Sequence, residues 1–289
     1  MQSGCSALGP FRRIEHQPLH GLHECTSTRA VPRIARRACN SHTMSHDVMA
    51  RAQPGAVVRE VLRRPDRTKL DESDDRQFYS MPRLVKHVDD RFLAQVTQLY
   101  RERIPSGGSV LDLCSSWVSH LPDEVPYARV VGHGMNAAEL ARNPRLDTSF
   151  VRNLNTEPRG WAAADNSFDA VLCCVSVQYL QQPEEVFSEI HRVLKPGGVC
   201  IVTFSNRMFP HKAISAWTQA DSGYARCQLV KSYFMAVEGF GLPQALTQVA
   251  LPNESAPLSA RLPGPLASVA KLFERSASDP FYAVLAHKL

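Results

Sequence analysis

Asp112 is the residue where the chemistry of this chain begins to be readable. It stands in a short apolar run, Ser109 to Leu113, and small side chains follow it: Cys114, Ser115 and Ser116, then Trp117 and Val118. A carboxylate beside two hydroxyls and a thiol can hold a polar ligand by hydrogen bonds. Gly134 follows Asp112 by 22 residues, near the roughly 20 that separate the first turn from the ribose-binding acid in nucleotide-binding α/β folds. His120, His133, Tyr179 and His211 are the side chains near strand ends able to move a proton, with Tyr179 foremost. A lone histidine is more often a satisfied structural residue than a catalyst. Trp117 can stack on a ligand or act as a cation–π partner, or it can simply plug the loop.

These groups need elements to position them. Strands are expected at Ser109–Leu113, Ala128–Gly132, Ser149–Arg152, Phe168–Val175, Val199–Phe204 and Phe281–Ala286. The run from Phe168 is apolar almost throughout, which suits a parallel strand covered on both faces. A helix is expected to open at Pro82 and carry Leu84, Val85, Val88, Phe92, Leu93, Val96, Leu99 and Tyr100 as its stripe. Its opening residues, Tyr79, Pro82, Arg83 and His87, would then overhang the strand ends. A short helix is expected at Ala137–Arg142. A longer one opens at Pro183-Glu184-Glu185 and ends at Lys195-Pro196-Gly197-Gly198. Two more helices are expected near Pro210–Ala220 and Arg226–Val237. Alternating strands and helices mean a doubly wound α/β sheet, whose ligands lie at the carboxyl ends of the strands.

Bulk properties set the limits. The first 46 residues hold six arginines, no lysine and two glutamates, while the remaining 27 basic and 26 acidic side chains nearly cancel. The near-neutral remainder has no electrostatic footprint for nucleic acid. No apolar run reaches the roughly 18 residues of a membrane span. The arginine-rich, acid-poor start, with Ser and His, reads as an organelle transit peptide over 1–46, plastid before mitochondrion. Residues 47–76 are polar, interrupted by Pro54, Gly55 and Pro65, and read as a flexible linker with one helical stretch near Val57 to Arg63. The domain proper is expected over 77–289, with 252–278 as a surface insertion. The cysteines form no C-x-x-C pair, so a zinc site is not expected, and Cys173 and Cys174 read as core.

Asp165-Asn-Ser-Phe-Asp-Ala-Val171, followed by EVFSEIHRVLKPGG from Glu185 to Gly198, resembles the class I S-adenosylmethionine-dependent methyltransferases, specifically the type 11 group. The resemblance covers about Phe78 to Phe240 and the final strand. It implies a Rossmann-like, mostly parallel seven-stranded sheet with helices on both faces, S-adenosylmethionine as cofactor, and methyl transfer to a small-molecule acceptor. In that family the first strand ends in an acid followed by G-x-G-x-G. Here Asp112 keeps the acid, while Cys114, Ser116 and Val118 occupy the glycine positions. Val118 is the sharpest departure, because a β-branched residue resists positive φ. Gly134 stands where the ribose-binding acid is usual, so Asn136 or a backbone group is left to take the ribose, and Gly134→Asp is expected to tighten binding if the ribose lies there. Asn153 stands where an aspartate holds the adenine amino group.

By this resemblance the cofactor site comprises Asp112, Cys114, Ser115, Ser116, Gly134, Met135, Asn136, Asn153 and Leu154, and the acceptor site Tyr79, Arg83 and Tyr179. The stretch Val175-Ser-Val-Gln-Tyr-Leu180 lacks the Asn-Pro-Pro-Tyr pattern of amide and base N-methylation. Two alternatives stand beside this reading. A nicotinamide oxidoreductase needs glycines where Cys114, Ser116 and Val118 stand. A non-catalytic ligand-binding or regulatory protein can be built on the same fold.

Overall fold

The computed structural model describes residues 52–252, 263–266 and 278–289. The transit-peptide reading and most of the expected insertion lie outside these residues.

Among the described residues, the α-helices and strands follow in order: α1 (Asp75–Phe78), α2 (Asp90–Arg103), β1 (Ser109–Leu113), β2 (Arg129–Gly134), α3 (Ala137–Leu140), β3 (Thr148–Val151), β4 (Phe168–Cys174), α4 (Pro183–Val193), β5 (Leu194–Phe204), α5 (Ser215–Gln219), α6 (Gly223–Met235), β6 (Gln244–Leu246) and β7 (Tyr282–His287). The strands form one sheet in the order β3-β2-β1-β4-β5-β7-β6. β1 to β5 are mutually parallel, and β7 runs antiparallel to both β5 and β6. The chain leaves β3 at one edge and re-enters beside β1 at β4, so the strand order reverses between β1 and β4. Their carboxyl ends are where a doubly wound sheet opens a crevice.

Side chains alternate across each strand, and both faces are buried along the central strands β1, β2, β4, β5 and β7, while the edge strands β3 and β6 are largely exposed. Leu111, Leu113, Val171, Cys173, Cys200 and Val202 pack under Phe187, Ile190 and Val193 of α4 and Val230, Tyr233 and Phe234 of α6. Val110, Ala170, Leu172 and Ile201 pack on the other face, under Phe92, Val96, Leu99 and Tyr100 of α2. Burial on both sides explains the nearly unbroken apolar run of β4.

Four expectations change. The helix before β1 starts at Asp90, not Pro82, because Asp89 supplies the cap: its carboxylate accepts from the Phe92 amide at 2.8 Å. Leu84 and Val85 are exposed and belong to no helix face. Residues 52–76 are no flexible linker, and no helix forms at 57–63. Leu62 is only 2% exposed and sits in the core. The amides of Val61 and Leu62 both donate to Glu184 Oε1 at 2.9 Å, and Arg67 pairs with Glu184 Oε2 at 2.9 Å. An extended strap can dock this way because its backbone groups find partners: the Glu184 carboxylate, the carbonyls of Glu238 and Ala236 for the Gly55 and Val58 amides, and the Ser215 amide for the Thr68 carbonyl. The ladder of β5 begins at Leu194, with Lys195–Gly198 bulging out between the pairings Phe168–Leu194 and Ala170–Val199. Gly197 takes a positive φ of 79° in that bulge, which only glycine adopts freely. β6 carries only three residues, too few for a period-two signal.

Candidate functional site

The carboxyl ends of β1, β2, β3 and β4 open into one cavity of about 320 Å³. Its wall includes every residue assigned from sequence to the cofactor and acceptor: Asp112, Cys114, Ser115, Ser116, Gly134, Met135, Asn136, Asn153, Leu154, Tyr79, Arg83 and Tyr179. Of the further candidates, Trp117, His120 and His133 also line it; His211 does not, and lies against the ring of Phe78 instead.

The loop after β1 is held without its usual glycines. The hydroxyls of Ser115 and Ser119 each donate to Asp112 Oδ2 at 2.6 Å. Asn143 Nδ2 donates to the Ser116 carbonyl and to Ser119 Oγ, both at 3.0 Å. Ser116 Oγ donates to Glu139 Oε2 at 2.5 Å. The loop's left-handed residue is Cys114, φ 58°, at the first glycine position. Val118 has no positive φ, so the steric objection to a valine there does not arise. Burial pushes the Asp112 carboxyl above its usual range, opposed by the two serine bonds.

His133 ties three strand ends together. Cys114 N–H donates to its Nδ1 at 3.1 Å, its own carbonyl accepts from Ser115 N–H at 2.6 Å, and its Nε2 lies 3.0 Å from the Arg152 carbonyl. With Nδ1 accepting, Nε2 carries the proton. The ring is 1% exposed and serves as a staple. Gly134 has an equally local reason. A Cβ there would stand 2.6 Å from the Ser115 carbonyl oxygen, so no side chain fits, and an aspartate at this position would break the loop before it met a ribose.

Asn136 lines the cavity with its amide already committed. Its oxygen caps α3 through the Ala138 and Glu139 amides, and its nitrogen donates to the carbonyls of Tyr79 and Ser80 at 2.9 and 3.0 Å. It fastens the segment that crosses the cavity. Asn153 spends its oxygen on the Asn155 amide, leaving its NH2 without a bond among the described residues. The Tyr179 hydroxyl accepts from Phe209 N–H at 2.8 Å. Burial raises the phenols of Tyr79 and Tyr179, so neither is a ready base. Burial, helped by Lys86, lowers His120 to about 4. Cys173 is core, whereas Cys174 turns to the cavity wall, and burial pushes its thiol up to about 12.

Sequence reasoning missed Glu139, Asn143, Asp75 and the stretch Arg207 to Phe209, which follows β5. Asn143 had a signal in the serine-rich loop, which needs donors from elsewhere. Asp75 did not: beside nearby Lys69, Nζ at 2.7 Å, its partners are distant in sequence, Lys212 Nζ at 3.5 Å and Asn155 Nδ2 at 2.8 Å.

Residues 118–202, under a third of the chain, match the family model of a methyltransferase domain. That segment runs from the loop after β1 into β5 and is similar to a methyltransferase domain. Solved structures similar to it include a chain from the complex of the Haloferax volcanii Trm112 methyltransferase activator with a methyltransferase (18% identity over 69% of this chain and 90% of that one, TM-score 0.45). Others are the [4+2]-cyclase SpnF (19%, 72% and 88%, 0.44) and an S-adenosylmethionine dependent methyltransferase from Mesorhizobium loti (15%, 66% and 96%, 0.40). No curated protein matches the chain in sequence. Among the described residues, no helix is long and apolar enough to cross a membrane.

Proposed function

We propose that the cavity binds S-adenosylmethionine and that the chain transfers its methyl group to a small organic acceptor. The observation that carries this reading is the cavity at the carboxyl ends of β1 to β4, whose wall brings together Asp112, Ser115, Ser116, Met135, Asn153 and Leu154. The donor set fits the group. Asp112 and the two serines present carboxylate and hydroxyl oxygens to an amino-acid moiety. Met135 and Leu154, at the ends of β2 and β3, give an aromatic base two apolar walls, and the Asn153 NH2 reads its polar edge.

S-adenosylmethionine supplies a methyl already activated by a positive sulfur. The chain's share is then to hold the acceptor in line and to keep water out. Three of the proton-moving groups in the wall are no strong bases: His120 is neutral and weakly basic, and Tyr79 and Tyr179 keep their protons. The segment from Tyr79 to Val88, fastened by Asn136, Glu139 and Trp117, forms the cover.

Calorimetric titration with S-adenosylmethionine and S-adenosylhomocysteine should show one site. Absence of binding by either at millimolar concentration sinks the proposal and favours a non-catalytic role. On composition alone, the first 46 residues are proposed to be removed on import into a plastid. An intact Met1 on mature protein from its native cell overturns that.

A further inference from the structure

Arg83 has an unusual environment for a charged side chain. Its guanidinium carbon lies 4.3 Å from the centroid of the Phe78 ring, 5.6 Å from Phe209 and 5.9 Å from Tyr79. The rings brace one another: Phe78 meets Tyr79 edge-on at 4.9 Å and Phe209 at 5.2 Å, and His87 meets Phe209 at 5.4 Å. The Arg83 backbone is pinned as well, its amide donating to Glu139 Oε1 at 2.6 Å. Yet no carboxylate or carbonyl meets the guanidinium among the described residues, and its Nη1 is buried without a partner.

A guanidinium keeps its charge at any physiological pH and offers five donors in a planar fork. Ring faces stabilise the charge but accept none of these hydrogen bonds in the ordinary sense. A buried, unpaired donor is costly, and a positioned cation whose donors are unspent fits an oxyanion arriving from outside. The fork matches a carboxylate or phosphate with two parallel bonds.

Two anions can reach such a site, the carboxylate of the cofactor or one on the acceptor. The arrangement favours the second. The cradle read as holding the amino-acid moiety follows β1, whereas the guanidinium rests against Phe209, which follows β5. We infer that Arg83, held in the Phe78, Tyr79 and Phe209 cluster, binds a carboxylate or phosphate on a methyl acceptor whose body is apolar or aromatic. This inference rests on the reading of the cavity as a methyl-transfer site.

The test uses the full chain with saturating S-adenosylhomocysteine and two matched pairs of probes, benzoate with benzamide and phenyl phosphate with phenol. Binding is read by ligand-observed NMR for the wild type, Arg83→Gln and Arg83→Lys, with folding checked by circular dichroism. In the wild type each anion should bind about tenfold or more tightly than its neutral partner. Arg83→Gln should abolish the preference, Arg83→Lys should keep part of it, and S-adenosylhomocysteine affinity should not change. Equal binding of anion and neutral partner in the wild type overturns the inference, whether or not the variants fold. A loss of S-adenosylhomocysteine affinity in Arg83→Gln, with 5′-methylthioadenosine binding unaffected, also overturns it, because the guanidinium would then serve the cofactor's carboxylate. An anion preference that survives in a chain unable to bind S-adenosylhomocysteine sinks the methyl-transfer reading alone, so the two failures are told apart.

Discussion

The amide of Cys114 donates to Nδ1 of His133 at 3.1 Å, and the same ring meets the Arg152 carbonyl at 3.0 Å through Nε2. One imidazole thereby fixes the ends of β1, β2 and β3 against each other. Its tautomer is set by the backbone, with the proton on Nε2. Nitrogen-15 NMR should show an unprotonated Nδ1 and a protonated Nε2 on this residue, and the opposite tautomer would refute the assignment. His133→Ala should lower stability by about 2–4 kcal/mol, since a part-buried amide and a part-buried carbonyl lose their partner and a void remains. Denaturant unfolding checks this, and a change within experimental error would mean the staple is dispensable.

Gly134 yields a prediction opposite to the one its sequence position suggests. Restoring an acid there should not tighten binding of S-adenosylhomocysteine. The new Cβ would meet the Ser115 carbonyl oxygen at 2.6 Å, so Gly134→Asp and Gly134→Ala should both weaken binding and destabilise the domain by about 1–3 kcal/mol. Tighter binding by the aspartate variant would restore the simple reading of a missing ribose ligand.

These two positions show where sequence reasoning ran out. The parallel strands were legible because burial on both faces writes itself as unbroken apolar runs, as in Phe168 to Cys174. The cavity wall was legible too, since the resemblance places its residues at strand ends and the fold brings strand ends together. The role of each residue was not. His133, Asn136 and Tyr179 looked available because their partners, the Arg152 carbonyl, the Tyr79 and Ser80 carbonyls and the Phe209 amide, are backbone groups with no side-chain signature. The strap over residues 52–76 was misread for the same reason: besides Glu184 it docks on distant backbone groups, the carbonyls of Ala236, Glu238 and His211 among them, and composition carries no trace of these. The helix before β1 was overextended because Val85 and Val88 are apolar for the cavity and mimic a helical stripe.

Acid should destabilise the domain partly through His120. Burial lowers its folded value from 6.5 to about 4. Between these values the unfolded chain binds a proton that the folded chain does not, so stability falls as pH drops through the window and the loss levels off below it. His191, also lowered to about 4 by burial and Lys288, acts in the same direction. His120→Gln should reduce the total loss across the window by at most about 3 kcal/mol and leave the His191 part. Unfolding measured across the window decides, and an unchanged slope would mean that His120 is solvated in the folded protein.

The cover over the cavity can be unfastened at a single atom. Asn136 makes two kinds of bond with its two ends: the oxygen caps α3, and the nitrogen donates to the carbonyls of Tyr79 and Ser80. Asn136→Asp keeps the cap, because aspartate and asparagine serve about equally well there. It replaces the donor with a second oxygen facing two carbonyls, which repel it. The sheet should therefore keep its stability while residues 79–88 exchange amide hydrogens faster and are cleaved more readily by protease. S-adenosylhomocysteine affinity should fall by about tenfold if the cover closes the site. Asn136→Ala, which loses both cap and tether, should add a stability loss of about 1 kcal/mol to the same opening. Should exchange over residues 79–88 be equal in Asn136→Asp and the wild type, then Glu139 and Trp117 hold the cover without this residue, and its asparagine is there for the cap alone.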